Sequence, residues 1–311
     1  MQALAQIEEW GAEHAAAAVV GPDREPVVHG DAEHVFRWAS ITKLLTAHAL
    51  LIALEEGTVD LDQPAGPPGS TIRHLAAHAS GLPFEGDGPP IAQPGQRRIY
   101  SNPGYEALAE AVAGAAGMPF PEYLRAAVLG PLGLAGELRG SPASGYQGPL
   151  GDLVAFAGEL LAPRLIAPET LAEATEVVFP GLSGVLPGFG RWEPNDWGLG
   201  FELKDAKQPH WTGAGNSPRT FGHFGGSGTF LWVDPERQAA LGVLTDREFD
   251  DWALEAWPRV SDAVLAELKS LNSGRRYSSN VSRSQLATTA GVSARTEAVR
   301  GMSSASATSP K

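Results

Sequence analysis

Apolar residues are spaced in two ways along the chain, and each spacing predicts a different element. Short apolar runs between turn residues predict strands near both ends of the chain, at residues 15–21, 26–30, 197–203, 229–233 and 239–245. Longer segments in which apolar residues recur at helical spacing predict helices at about residues 1–14, 36–56, 72–78, 105–113, 152–161 and 251–271. Glycine and proline separate the helical patches of the central part.

The order of these elements predicts the architecture. Strands at both ends, with helices between them, imply one sheet assembled from both termini and a helical region inserted into it. We expect an α/β (α+β) fold with an antiparallel sheet flanked by helices. The sheet region comes from residues 1–35 and 190–271, the helical region from 40–185, and together they form a single domain over 1–271.

The composition changes at residue 272. Residues 272–311 are rich in Ser, Thr and Ala and poor in large apolar residues, so we expect a disordered tail. The tail carries six basic residues and one acid, whereas the whole chain has a net charge of −13. The acidic body argues against nucleic acid and anionic membranes as partners. A nucleic-acid-binding tail is the less favoured alternative, because its charges are sparse and aromatic residues are nearly absent.

The chain contains no cysteine, which excludes disulfides, thiol chemistry and cysteine–zinc sites. The first residues lack a basic segment followed by an apolar run, so no secretion signal is expected. No apolar run is long enough to cross a bilayer. We therefore expect a soluble, cytoplasmic protein.

Ser40 and Lys43 stand three residues apart near the start of the most apolar predicted helix. Residues at i and i+3 share a helical face, so the hydroxyl and the amine can approach each other. A lysine in apolar surroundings has a lowered pKa and can accept a proton, which would make Ser40 a nucleophile with its own base. The spacing alone arises easily by chance, but the other four lysines lie in polar or terminal segments.

Two further segments carry candidate chemistry. Tyr100 and Asn102 lie in a loop before a predicted helix, where the phenol could pass a proton to a leaving group and the amide could bind substrate. A purely structural role in the turn is equally compatible with these two residues. His223 begins the glycine-rich run 223–229 before a predicted strand, where Gly225 and Gly226 permit close approach of a ligand. The Gly226 N–H could join that of Ser40 in an oxyanion hole, although an ordinary bulged strand entry is the alternative.

In this order and spacing, the three segments resemble the serine β-lactamase and penicillin-binding-protein superfamily, in its class C-like branch. That branch includes esterases, D-aminopeptidases and D,D-peptidases. Residues 71–83 are similar to the family's HLLTHTSGLP segment, and residues 197–201 are also family-like. The resemblance covers about residues 5 to 268 and implies a β-lactamase/transpeptidase-like fold.

The resemblance also implies roles for the candidate residues. Ser40 would be the acylated nucleophile, Lys43 and Tyr100 would share the acid–base work, and Asn102, His223, Gly225 and Gly226 would bind substrate. His223 stands where penicillin-directed members carry lysine, and a histidine is mostly neutral at pH 7.

We therefore expect a cofactor-free serine hydrolase that forms an acyl-enzyme at Ser40 and acts on esters or small amides. Its expected partner is a small-molecule ester, amide or peptide substrate. A β-lactamase, a D-alanyl carboxypeptidase or a D-aminopeptidase is the alternative. A catalytically silent relative that binds a ligand or acts as a scaffold is the alternative of another class. The oligomeric state is not predicted.

One histidine pair could suggest a metal. His74 and His78 stand at i and i+4, but no glutamate of a zinc hydrolase lies between them and no third ligand is evident. We expect packing or capping near Ser80 and Gly81, and no metal site.

Overall fold

A computed structural model describes residues 1–22 and 24–271 of the chain. The chain divides into two compact units, Met1–Leu265 and Ala266–Lys311. Of the second unit, the described residues are 266–271, which are helical. The predicted tail, residues 272–311, lies outside the described residues. Its disorder, and a single domain over 1–271, therefore stay predictions.

The large unit is built on a six-stranded sheet in the order β2-β1-β11-β10-β9-β8, with antiparallel neighbours throughout. Its first two strands come from the start of the chain and the other four from its later part, as predicted. Five shorter strands form a three-stranded and a two-stranded sheet. The strands are β1 (Ala15–Val20), β2 (Val27–Gly30), β3 (Phe36–Arg37), β4 (Glu137–Leu138), β5 (Tyr146–Gly148), β6 (Gly184–Leu186), β7 (Gly190–Trp192), β8 (Glu202–Leu203), β9 (Phe221–Gly225), β10 (Thr229–Asp234) and β11 (Ala239–Thr245).

Helices fill the segment between the two groups of sheet strands and also close the described chain. They are α1 (Thr42–Glu55), α2 (Ile72–Ala76), α3 (Asn102–Ala116), α4 (Phe120–Leu124), α5 (Gly130–Leu132), α6 (Leu150–Leu161), α7 (Pro168–Ala174) and α8 (residues 251–271). Two 3₁₀ helices, Gln2–Trp10 and Ala39–Ile41, and a π-helical turn, Arg125–Leu129, complete the helical set. No helix in the described part of the chain is both long and apolar enough to cross a membrane.

The central strands and α1 are buried on all sides, which explains why their sequences are largely apolar. Every residue of β10 and β11 is buried, since helices cover the sheet. Helix α6 packs on β1, β10 and β11 and lies close to the sheet at Gly242, where a Cβ atom would approach Leu153 Cδ2 to 2.6 Å. In α1 the residues from Thr42 to Ala53 are all buried. The predicted buried helix is therefore confirmed.

One predicted strand is shorter than expected, and one strand of the sheet was not predicted. Residues 197–203 are extended only at β8, because Leu199 and Gly200 donate their N–H groups to Ala174 and Ala76 rather than to a neighbouring strand. The run 223–229 does precede a strand, β10, as predicted, but its first three residues also belong to β9, a strand that the sequence analysis did not predict. β9 was not predicted because its glycines interrupt the apolar pattern that marks a strand. A Cβ atom at Gly222 would meet the Leu231 carbonyl oxygen at 2.0 Å.

Two more buried lysines, Lys204 and Lys207, also depart from the sequence analysis. Lys207 is 3 % exposed and donates to Glu202 Oε1 at 2.8 Å. His210 Nε2 and Trp211 Nε1 each lie 2.8 Å from Glu202 Oε2. Burial raises the pKa of Glu202, but the charges of His210 and Lys207 outweigh this effect and lower the pKa to about 2. The ionised carboxylate thus ties β8 to the loop that follows it.

Candidate active site

Ser40 lies in the 3₁₀ turn Ala39–Ile41, directly before α1, and is half-buried. The turn is held by Trp38, whose N–H donates to the Tyr146 carbonyl at 3.0 Å and whose carbonyl accepts from Thr229 Oγ1 at 3.0 Å. Ala39 has a φ of 46°, which is rare for a residue with a side chain. The fixed neighbours and the left-handed residue therefore turn the chain sharply at Ser40.

Lys43 lies in the first turn of α1 with its side chain buried. Its Nζ donates to Ser40 Oγ at 3.4 Å, to Asn102 Oδ1 at 2.5 Å and to the Ala143 carbonyl at 2.9 Å. Burial lowers the pKa of Lys43 to about 7, against the opposing charges of Glu85 and Glu106. Burial favours the neutral amine and the three acceptors favour the ammonium, so the two forms are balanced near neutral pH.

Tyr100 faces both residues. The Ser40 side chain lies close enough to the Tyr100 hydroxyl to act on its pKa, and the Lys43 Nζ lies 4.7 Å from the centre of the Tyr100 ring. Burial raises the pKa of Tyr100 far above neutrality. The phenol therefore keeps its proton at pH 7 and can give it to another group, but it is a poor first base.

Asn102 is the first residue of α3, which Ser101 caps by accepting the Gly104 N–H at 3.0 Å. The side chain of Asn102 is oriented from both ends. Its Oδ1 accepts from Lys43, and its Nδ2 donates to the Glu85 carboxylate. Glu85 is absent from the sequence prediction, because an exposed acid in a Gly- and Pro-rich loop gives no chemical signal.

His223 is buried in β9, with its ring centre 5.6 Å from that of Tyr100. Its Nδ1 lies 2.6 Å from the Phe224 carbonyl oxygen, and since a carbonyl only accepts, Nδ1 carries the proton. Nε2 is then an acceptor, buried and without a hydrogen-bond partner in the described structure. Burial, assisted by the charge of Lys43, lowers the pKa of His223 to about 3, so the ring is neutral.

Gly225 brings the end of β9 against the turn that carries Ser40. A Cβ atom there would lie 2.6 Å from the Trp38 carbonyl oxygen and 2.5 Å from Thr229 Oγ1, so only glycine fits without movement. Gly226 follows in the turn to β10 and faces open space. The structure thus brings all seven predicted site residues to the region where β9, α1 and α3 begin or end.

Two cavities adjoin this region, and the loop around residues 84 and 85 contributes to both. The first, about 680 Å³, is lined by Asn102 and by the carboxylates of Glu85, Asp87, Glu106 and Glu110. The second, about 360 Å³, is lined by Tyr100, by apolar side chains and by arginines: Phe84, Ile91, Val185, Arg97 and Arg191. A third cavity of about 500 Å³, lined by Leu160, Leu171 and Phe221, contains none of the site residues.

The two histidines weighed as metal ligands serve local structure instead. His74 Nδ1 lies 2.9 Å from Thr71 Oγ1 and caps the start of α2, whereas the prediction placed capping near Ser80. His78 Nδ1 accepts the Ser101 N–H at 3.1 Å. Across residues 1–22 and 24–271, no group of three or more His, Asp or Glu side chains is arranged to hold a metal ion.

A sheet made from both ends of the chain, a helical insertion and a Ser-x-x-Lys helix at their junction define the fold of the serine β-lactamases and penicillin-binding proteins. The beta-lactamase family model matches residues 4–265, so the chain belongs to this family. A beta-lactamase from Mycobacterium bovis is 54% identical, with a TM-score of 0.83 over 86% of this chain and 99% of that one. The predicted family and fold are confirmed.

More distant relatives share the fold. A mutant of simvastatin synthase from Aspergillus terreus is 17% identical, with a TM-score of 0.69 over 86% of this chain and 94% of that one. The D-alanyl-D-alanine-carboxypeptidase/endopeptidase AmpH of Escherichia coli is 32% identical over 138 residues, which are 33% of this chain and 36% of AmpH. The match to AmpH therefore spans about a third of that protein's length.

Proposed function

We propose that this protein is a serine hydrolase that forms an acyl-enzyme at Ser40 and acts on esters or small amides. The observation that carries the proposal is the buried amine of Lys43, which lies 3.4 Å from Ser40 Oγ and has a pKa of about 7. A lysine of this kind can take the serine proton at neutral pH. The contact is long for a hydrogen bond, as such contacts often are before a substrate binds.

In the first step, Ser40 Oγ attacks the substrate carbonyl while its proton passes to Lys43. The carbonyl oxygen becomes an oxyanion, for which the N–H groups of Ser40 and Gly226 are the candidate donors. The bond to the leaving alcohol or amine then breaks, and Tyr100 gives its proton to the leaving atom while Lys43 restores the proton of Tyr100. Water hydrolyses the acyl-enzyme in the second step with the same groups reversed.

His223 supports esters and small amides over penicillins. Its ring is neutral and presents a lone pair at Nε2, whereas a β-lactam or a peptide terminus brings a carboxylate. A lone pair repels a carboxylate and accepts a hydrogen bond from a donor. The second candidate is a D-alanyl carboxypeptidase, which the similarity to AmpH favours, or a D-aminopeptidase. Nitrocefin and D-alanyl-p-nitroanilide, assayed beside 4-nitrophenyl acetate, separate β-lactamase and D-aminopeptidase activity from ester hydrolysis.

Covalent labelling of the whole protein tests the proposed nucleophile. A fluorophosphonate should add one adduct, found by intact-mass spectrometry, and proteolysis should place it on the peptide that contains Ser40. Prior incubation with 4-nitrophenyl acetate should slow the labelling, because both compounds compete for one hydroxyl. An adduct on another serine would refute the assignment. The absence of any adduct or turnover would point to a silent ligand-binding relative.

The pH dependence of kcat/KM should report the pKa of Lys43. Activity is expected to rise with pH through a midpoint near 7, because the base works in its neutral form. In Glu85→Gln the amide oxygen still accepts from Asn102, but a negative charge that raises the pKa of Lys43 is lost. The pKa then falls, and the rise in kcat/KM moves to lower pH.

The matched control for this prediction is Glu110→Gln. Glu110 lines the same acidic cavity, but its charge is not among those that shift the pKa of Lys43. Its profile should coincide with that of the wild type. A Glu85→Gln profile that moves to higher pH, or does not move, contradicts the role given to Lys43.

A further inference from the structure

The cavity beside Tyr100 combines features that select a ligand. Phe84, Ile91 and Val185 line it and are 48%, 56% and 55% exposed, which is unusual for large apolar side chains at one place. Phe84 stacks near Tyr100, with ring centres 5.6 Å apart. The cavity therefore offers an apolar wall that leads toward the proposed proton donor.

Two guanidinium groups complete this wall. Arg97 donates to the Ile91 carbonyl at 3.1 Å and Arg191 to Ser183 Oγ at 3.0 Å, so each has a neutral partner. Within the described part of the chain, neither forms an ion pair with a carboxylate. Each guanidinium keeps N–H donors available, and an anion is the group that two such side chains bind best.

The floor of the cavity is rigid. Arg98, 2% exposed, donates to the carbonyls of Ala77, Val178 and Asn195. Its own N–H donates to the Ser183 carbonyl at 2.9 Å, next to a bridge between Arg98 and Gly184. A Cβ atom at Gly184 would lie 2.4 Å from the Arg98 carbonyl oxygen. The β6–β7 hairpin, which carries Arg191, is thus held against the strand-like segment that leads to Tyr100.

The neighbouring acidic cavity also favours the binding of an anion in the cavity beside Tyr100. It carries four carboxylates, so an anionic group is repelled there and attracted to the two arginines. An anionic part of a substrate is therefore expected in the cavity with the two arginines and not in the acidic cavity.

We propose that the cavity beside Tyr100 is the subsite for the leaving half of the substrate, and that this half has an apolar body ending in a carboxylate. The inference rests on the proposed function, because it takes Tyr100 as the donor of the leaving group's proton. Phe84, Ile91 and Val185 cover the apolar body, and Arg97 and Arg191 bind the carboxylate.

Acetyl esters of phenols test this subsite, because they share one acyl-enzyme and differ only in the leaving half. The anionic substrate is 4-acetoxybenzoate and its neutral match is methyl 4-acetoxybenzoate. Arg191→Gln should lower kcat/KM for the anionic ester about three- to tenfold and change that for the neutral ester by less than about twofold. Arg97→Gln should act in the same direction, and about 1 M salt should reduce the difference in the wild type.

Arg259→Gln is the control for the loss of one positive charge, because Arg259 is exposed on α8 and lies outside the cavity. Its ratio of kcat/KM for the two esters should equal that of the wild type. Equal losses for both esters in Arg191→Gln would assign the arginine a structural role and overturn the proposal. No loss for either ester would overturn it as well.

Binding of the leaving group alone separates this inference from the proposed function. Calorimetry should show that the wild type binds 4-hydroxybenzoate more tightly than neutral 4-hydroxybenzyl alcohol. Arg191→Gln should lower the affinity for 4-hydroxybenzoate by the same three- to tenfold factor. Hydrolysis of neutral esters without this preference would refute the subsite and leave the hydrolase standing. Selective binding without any turnover would refute the hydrolase and leave an anion-selective subsite.

Discussion

Ser40→Ala is expected to lower kcat/KM for 4-nitrophenyl acetate by about 10³-fold or more, because no other group in the site can form the acyl-enzyme. The fold should persist, since Ser40 is half-buried in a turn that Trp38 holds through contacts independent of the hydroxyl. The melting temperature should stay within about 2 °C of the wild type. Initial rates and thermal denaturation of the same preparation check both expectations.

Ser261→Ala supplies the matched control for this variant. Ser261 Oγ accepts from Trp232 Nε1 at 3.0 Å, within the core and apart from the candidate site residues. Its loss should lower the free energy of unfolding by about 1–3 kcal/mol and leave kcat/KM nearly unchanged. Ser40→Ala should therefore lower activity without lowering stability, and Ser261→Ala should lower stability without lowering activity. Ser40→Ala with more than a tenth of the wild-type kcat/KM would refute the nucleophile.

The elements that the sequence predicts well are those that local pattern determines. β10, β11 and α1 are largely apolar because they are buried on all sides, and a segment of this kind is visible without any tertiary information. β9 escaped prediction because glycines at 222 and 225 remove the side chains that mark a strand. Those glycines are required by backbones that approach within the radius of a Cβ atom, which only the fold reveals.

The candidate site follows the same division. Ser40 and Lys43 are three residues apart, so their contact is local and predictable. Tyr100, Asn102 and His223 are far apart in the sequence, so their contacts cannot be predicted locally. They are found because they match the motifs of a known family. Glu85 and Arg191 belong to no motif, and only the structure brings them to Asn102 and to the cavity beside Tyr100. Sequence motifs therefore miss residues such as Glu85 and Arg191, which contact or surround the motif residues but belong to no motif themselves.

The acid–base groups of the site are distinguished by burial acting on opposite charge types. Burial disfavours an ammonium and lowers the pKa of Lys43, and it disfavours a phenolate and raises the pKa of Tyr100. One apolar environment thus favours the neutral amine of Lys43 and the neutral phenol of Tyr100 at the same pH, as their proposed roles of base and acid require. His223, in the same environment, is left without charge.

Lys43→Met should lower kcat/KM for 4-nitrophenyl acetate about 10²- to 10⁴-fold, because the proton of Ser40 loses its acceptor. The rise in activity near pH 7 should disappear with the amine. The expected change in stability is small. Removing a buried charge is favourable, whereas Asn102 Oδ1 and the Ala143 carbonyl lose a donor, at a cost of about 1–3 kcal/mol per group.

Two further lysine variants decide what Lys43 contributes. Lys204→Met removes a buried lysine outside the candidate site and should leave kcat/KM unchanged. Lys43→Arg keeps the positive charge but cannot supply a neutral base, since an arginine stays protonated at every working pH. If Lys43 is the base, the arginine variant is as inactive as the methionine variant across the pH range. An arginine variant with most of the wild-type activity would show instead that the site requires a cation and that the proton of Ser40 leaves by another route.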